Sequence, residues 1–167
     1  MTVPTQVLVA AQYDIAAPAL FERARSFGDL IEATRRISNY DGLPESDMEE
    51  GAVYKTNIRI LGLVNCNDYE IKVNKICRDT LRVETLESNN VVRLWSHHIQ
   101  IKPTETGSIW VDRVIIDAGR MTPVVARYAR FMYRHRHLSR KGTVLEARLG
   151  KSSRAVTPQV PLFHPAE

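Results

Sequence analysis

The stretch of residues 120–148 constrains the fold most, because it joins a helix-start signal to a long helical pattern. Thr122 can cap a helix, and Pro123 suits the first turn, where a missing backbone N–H matters least. Apolar or partly apolar residues then recur at three- and four-residue spacing: Val124, Val125, Tyr128, Phe131, Met132, His135, Leu138 and Leu145. Arginines fill most of the gaps, so the pattern predicts an amphipathic helix with one face on a partner surface.

A sheet is the natural partner, because nearly everything between residues 51 and 118 is typical of β-strands. Period-two alternation predicts five successive strands, at 52–61, 68–77, 80–86, 91–102 and 108–117. The apolar positions change parity between Val53 and Ile58, which indicates a bulge or a mixed face in the first of these strands. The connections are short and rich in turn residues, so neighbouring strands are expected to pair antiparallel.

The first fifty residues predict a strand, two short helices and a loop. The strand covers residues 5–15, and Pro18 opens a helix over 19–26 that Gly28 and Asp29 interrupt before a second helix over 30–36. Residues 39–50 are polar and turn-rich, which indicates a loop. This order predicts an α+β fold: an antiparallel sheet of about six or seven strands that curves around a long C-terminal helix. Residues 1–149 form the single expected domain, followed by an extended, proline-containing tail at 150–167.

The net charge of +4 has its main source in the final helix, where residues 120–148 hold eight basic residues and one acidic residue. A solvated helix face explains such a run, and weak contact of Arg127, Arg130 and Arg134 with an anionic surface is the alternative. Nucleic acid is not an expected partner, because base-stacking aromatics do not accompany the arginines. No apolar run is long enough to span a bilayer and no secretory signal is visible, so the cytoplasm is the expected location.

A histidine and an aspartate are the candidates for chemistry. Trp95, His97 and Ile99 share one parity, which the apolar members predict to face inward, so His98 would face outward. Asp112 on the same face would hydrogen-bond to His97, setting the imidazole tautomer and raising its basicity. The pair is then either a general base acting on a bound ligand or a buried histidine satisfied by a carboxylate. The second interpretation is preferred, because catalysis also needs a reactive ligand atom nearby.

Other polar and aromatic residues are candidates for a pocket wall, with core packing as the alternative for each one. They are Tyr54, Tyr69, Tyr128, Met132 and His135. The sequence holds no phosphate loop, H-E-x-x-H, C-x-x-C or G-x-S-x-G motif, so neither a metal nor a cofactor is expected.

The element order and one hairpin motif resemble a known superfamily over residues 5–148. The motif reads Trp95-Ser96-His97-His98-Ile99-Gln100-Ile101, then a turn and Trp110-Val111-Asp112-Arg113-Val114, with Gly119 before the last helix. It is similar to the hairpin of helix-grip proteins in the SRPBCC superfamily, which includes START lipid-transfer domains, pollen-allergen-like proteins, polyketide cyclases and coenzyme Q-binding proteins.

The resemblance implies a function as well as a helix-grip fold. A hydrophobic or amphipathic small molecule, such as a lipid, a quinone or a polyketide-like compound, would bind between the sheet and the last helix. Its expected contacts are Tyr54, Tyr69, Trp95, His97, Ile99, Asp112, Tyr128, Met132 and His135. Two alternatives stay open: a polyketide cyclase or aromatase-like enzyme with His97 as general base, and an interaction module that uses the basic face of the last helix. The sequence does not indicate the oligomeric state.

Overall fold

The computed structural model describes residues 3–145, which form three helices and one antiparallel sheet. In chain order the elements are β1 (Thr5–Tyr13), α1 (Ala17–Ala24), α2 (Phe27–Thr34), β2 (Ser38–Asp41), β3 (Val53–Ile60), β4 (Val64–Cys77), β5 (Arg82–Ser88), β6 (Leu94–Pro103), β7 (Ser108–Asp117), a 3-10 turn (Gly119–Met121), α3 (Thr122–Ser139) and β8 (Thr143–Leu145). The strand order is β2-β3-β4-β5-β6-β7-β1-β8. The predicted α+β class is therefore confirmed, and the predicted tail at 150–167 lies outside the described residues.

The eight strands exceed the predicted six or seven because two short edge strands were not recognised. β2 lies in the predicted loop and pairs with β3 from Ser38, opposite Ile60, to Asp41, opposite Asn57. β8 lies in the predicted helix and pairs with β1. Strands of three or four residues are too short to show a clear alternation, and their pairing partners are distant in sequence.

The last helix ends earlier than its sequence pattern predicted. Lys141 adopts a positive φ of 62°, and the N–H of Gly142 donates to the carbonyl of His137 at 2.9 Å. A left-handed residue with such a bond is the usual way to end an α-helix. α3 therefore stops at Ser139, and the chain turns back along β1.

The break between the two short helices comes at Ser26, earlier than the predicted interruption at Gly28 and Asp29. The Ser26 side chain accepts a hydrogen bond from the Asp29 N–H at 3.2 Å, so it caps α2. Gly28 is inside the helix, where a Cβ would come within 3.0 Å of the Glu45 carbonyl oxygen. Close backbone packing thus explains a glycine that had indicated a helix end.

The sheet shows the predicted irregularity in β3 and the predicted facing of β6. The β3–β4 register shifts between Thr56 and Ile58, which confirms the bulge. In β6 the inward residues Trp95, His97 and Ile99 are no more than 6% exposed. Inner-face residues of the sheet pack in two apolar clusters, one including α1 and the start of α2 and one including α3.

α3 faces the sheet with a different side from the predicted one. Val124, Phe131 and Leu138, which were assigned to the buried stripe, are 60%, 47% and 60% exposed. The buried face is formed by Ala126, Ala129, Met132, Tyr133, Arg136 and His137. The prediction was wrong because both faces repeat at three- and four-residue spacing. Two alanines allow close approach to the sheet, and the buried polar side chains find partners there.

Candidate functional site

The β6–β7 hairpin sets the geometry of a buried polar cluster between the sheet and α3. Ile99 pairs with Asp112, and His97 pairs with Val114, so His97 and Asp112 are diagonal neighbours on one face. His97 Nε2 lies 2.7 Å from Asp112 Oδ1, and the two side chains are 6% and 2% exposed. The hydrogen bond considered from the sequence is therefore present.

Asp112 accepts hydrogen bonds from three elements of the fold. The same Oδ1 accepts from the indole N–H of Trp110 at 3.0 Å, while Oδ2 accepts from His137 Nε2 at 2.8 Å. Burial raises the pKa of Asp112, but the hydrogen bonds from His137 and His97 outweigh it and hold that pKa well below its ordinary value of 3.8. Asp112 is therefore ionised at neutral pH and ties β6, β7 and α3 together.

A tyrosine extends this cluster to β1. The Tyr13 hydroxyl lies 2.7 Å from Nδ1 of His137. Because His137 Nε2 donates to ionised Asp112, a neutral His137 carries its proton on Nε2 and accepts from Tyr13 at Nδ1. Burial raises the pKa of Tyr13, with a smaller contribution in the same direction from the Asp112 charge, so its hydroxyl keeps the proton it donates.

Tyr133 and Arg136 extend the polar cluster along the inner face of α3. The Trp95 indole N–H donates to the Tyr133 hydroxyl at 3.2 Å, and the Tyr133 and His97 rings lie 4.9 Å apart. The Arg136 guanidinium lies 5.0 Å from the centre of the Tyr133 ring. Arg136 is 6% exposed, and its Nε has no hydrogen-bond partner among residues 3–145. A buried donor without an acceptor is the most unusual feature of the interior.

A second polar group lies on β4 and β5 of the same sheet face. Glu87 accepts hydrogen bonds from the Tyr69 hydroxyl at 2.9 Å and from the Thr85 hydroxyl at 2.7 Å. Burial, and then the Glu87 charge, raises the pKa of Tyr69 well above its ordinary value. The interior of the grip therefore combines aromatic walls with neutral hydroxyl groups.

The residues predicted to line a pocket do not all meet. Trp95, His97, Ile99, Asp112 and Tyr69 are all buried on the inner face of the sheet. Tyr54 is opposite Ile71 and packs on Phe27 of α2, Tyr128 lies 3.3 Å from the Ser38 hydroxyl, and Met132 is buried beside Tyr133. His135 instead lies 3.3 Å from the Ser139 hydroxyl on the exposed side of α3.

Tyr13, Tyr133, Arg136, His137 and Arg140 are the cluster members that the sequence interpretation missed. Their signal was the spacing of the last four with Ala126 and Ala129, which follows the helical repeat on the opposite face from the apolar stripe. Arginines and histidines on a helix are ordinarily assigned to water, which hid this pattern.

Two cavities open at the surface near the helices and the sheet edge. One of about 230 Å³ lies between α2 and the end of α3, and one of about 480 Å³ lies beside β2, β3 and β4. Within residues 3–145, no group of three or more metal-binding side chains is arranged to hold a metal ion. No helix in the same part of the chain is long and apolar enough to cross a membrane.

Comparison with known proteins supports the architecture and leaves sequence kinship unassigned. No family model matches the chain, and no curated protein matches it. Solved structures do match: Ara h 8.0201 at 12% identity and a TM-score of 0.58, covering 83% of this chain and 99% of that one. Protein CV1439 from Chromobacterium violaceum matches at 8% and 0.63, covering 81% and 94%, and TTHA0849 from Thermus thermophilus at 10% and 0.61, covering 81% and 93%. At these identities the likeness concerns the fold alone. The chain has an SRPBCC-type helix-grip fold, as its hairpin motif and element order predicted.

Proposed function

We propose that this protein binds an amphipathic small molecule between the inner face of the sheet and α3. The observation that carries the proposal is Arg136, a buried guanidinium whose Nε lacks an acceptor among residues 3–145. Leaving such a donor unpaired costs about 1–3 kcal/mol. An oxygen atom of a bound molecule would remove that penalty, which favours a ligand with an acidic or carbonyl group.

The surrounding walls suit the rest of such a ligand. Tyr69 and Tyr133 are buried, and Tyr40 is half-buried near Arg136. Leu30, Ile31 and Ile58 are only partly buried and pack against the apolar core. Apolar contact would supply affinity at about 25 cal/mol per Å², and the hydroxyls and Arg136 would orient the molecule. A lipid acid, a quinone or a polyketide-like aromatic compound has this combination.

Native mass spectrometry of freshly purified protein is the direct test. We expect a co-purified organic species, or a rise in melting temperature with at least one fatty acid, quinone or aromatic polyketide from a defined panel. Arg136→Met, which keeps the length and loses the charge, should lose that ligand, while Arg130→Met on the exposed face should retain it. A bare protein that no compound in the panel stabilises would contradict the proposal.

For His97 and Asp112 we propose a structural role, in keeping with the preferred interpretation of the sequence. The carboxylate that would activate His97 also holds Trp110 and His137. The enzymatic alternative requires an imidazole-like inflection in a pH–rate profile that disappears in His97→Ala. A loss of stability in that variant with unchanged ligand binding would support the structural role.

A second candidate function rests on the outer face of α3. Val124, Phe131 and Leu138 recur at seven-residue intervals and form an exposed apolar ridge next to Arg127 and Arg130. We propose that this ridge contacts an anionic membrane surface, where the apolar groups enter the interface and the arginines meet phosphates. Co-sedimentation with phosphatidylserine vesicles should exceed that with phosphatidylcholine vesicles, and should fall with salt and with Phe131→Ser. Equal sedimentation with both lipids would refute it.

A further inference from the structure

A cavity of about 230 Å³ between α2 and the C-terminal end of α3 has an unusual charge distribution. Four arginines and two acidic residues are among its lining residues, which are Arg23, Asp29, Glu32, Ala33, Arg35, Arg36, Ser139 and Arg140. The charged side chains therefore carry a formal charge of +2. The chain has paired these groups incompletely, so the cavity is electropositive.

The two carboxylates are already engaged by arginines. Asp29 accepts from Arg23 Nε at 2.9 Å and from Arg140 Nε at 2.5 Å. Glu32 lies 2.9 Å from Arg35 Nε. Arg36 has no ion-pair partner among residues 3–145, and Asp29 balances only one of its two arginines. These are the two positive charges that an anion in the cavity would neutralise.

Arg140 is held in place at this cavity by the fold. It is 6% exposed, and its guanidinium lies 4.6 Å from the centre of the Trp110 ring. Ser26 caps α2 and so fixes Asp29, the carboxylate that binds Arg140. The Nη1 atom of Arg140 is buried without a hydrogen-bond partner in the described part of the chain. Burial lowers the pKa of Arg140, and the positive charge of Arg136 lowers it further. A bound anion would offset both effects.

We propose that this cavity binds a phosphomonoester group, with Arg36, Arg35 and Arg140 as its ligands. A phosphomonoester carries about −1.5 to −2 charges at neutral pH, which matches the +2 of the lining. Guanidinium groups bind phosphate oxygens through two parallel hydrogen bonds, which a lysine cannot reproduce. The volume equals that of about eight liquid water molecules, so it accepts a phosphate group and excludes a drug-sized ligand. This site is independent of the interior ligand proposed above.

Titration of the full chain, followed by amide NMR shifts at constant chloride concentration, tests the proposal. Three probes share the phosphate chemistry and differ in its source: inorganic phosphate, glycerol 3-phosphate and soluble dihexanoyl phosphatidic acid. We expect saturable shifts centred on residues 29–36 and 139–140, with a Kd of about 1 mM or tighter for the best probe. The tightest probe then identifies a free phosphate, a small metabolite or a lipid headgroup as the source.

Arg36→Gln should weaken binding of that probe about tenfold, because one charge-assisted contact is lost. Arg113→Gln is the matched control, since Arg113 is an exposed arginine on β7 outside the cavity, and it should bind like the wild type. Both residues are exposed, so both variants are expected to fold. Absence of saturable shifts with all three probes, or equal weakening in the two variants, would overturn the proposal.

Discussion

Asp112→Asn tests whether the buried cluster holds the hairpin and α3 together. The substitution keeps the shape of the side chain and removes its charge. The Asn carbonyl oxygen can still accept from His97 and Trp110, but the new amide N–H₂ faces the donating Nε2 of His137. His137 can relieve this conflict by moving its proton to Nδ1, because the Tyr13 hydroxyl can also accept a hydrogen bond.

The expected loss of unfolding free energy at pH 7 is about 3 kcal/mol. Removing one partner of a buried charged group costs roughly 3–5 kcal/mol, and the available tautomer change favours the lower end. For a chain of this size, that corresponds to a decrease of roughly 6–12 °C in melting temperature. Asp79→Asn, in an exposed turn, is the matched control and should remain within about 0.5 kcal/mol of the wild type.

The difference between wild type and Asp112→Asn should also depend on pH in a defined direction. The pKa of Asp112 in the folded protein lies below its ordinary value of 3.8, so its stabilising contribution is fully present above 3.8. That contribution is lost as the pH falls through the lower, folded-state pKa, and asparagine has no such contribution to lose. Urea unfolding from pH 7 to pH 3 should therefore show a constant difference above about pH 5 that narrows below 3.8. A loss under about 0.5 kcal/mol at pH 7, or a difference that stays constant to pH 3, would refute the reasoning.

Three further predictions test other parts of the fold by chemical denaturation. Tyr133→Phe should cost about 1–2 kcal/mol, because the buried Trp95 indole N–H loses its acceptor, and the loss should shrink when Trp95 is already phenylalanine. Additive losses would argue against that bond. Gly107→Ala should cost about 3 kcal/mol, because its Cβ would overlap a backbone carbonyl of β1, and a neutral result would contradict the close approach. Leu138→Ser on the exposed face of α3 should stay within about 0.5 kcal/mol, whereas Ala129→Leu on the buried face should cost about 1–3 kcal/mol. The reverse order would restore the helix face expected from the sequence.

The β6–β7 hairpin could be predicted because strand geometry has an unambiguous period. Successive side chains point to opposite faces, so the apolar Trp95 and Ile99 were enough to place His97 inside and His98 outside. The position of Asp112 relative to His97 depended on hairpin register, which the intervening turn constrains locally. These contacts are close in sequence, and local rules apply to them.

The helix defeated the same method, because α3 presents two faces with equal spacing. Apolarity favoured Val124, Phe131 and Leu138, yet the protein buries Arg136 and His137. Burial of these two residues is acceptable only in the presence of Asp112 and the tyrosines, which come from other parts of the chain. A sequence pattern carries no information about such partners.

The sequence by itself determined the order of elements, the antiparallel pairing, the β3 bulge and the inward face of the hairpin, since each follows from backbone periodicity and short-range turns. The tertiary structure decided which face of α3 is buried, where that helix ends, and that Asp29 of α2 meets Arg140 of α3 across 111 positions. The free energy of a buried charge depends on its partner and on the absence of water. Both conditions are set only when distant segments pack together.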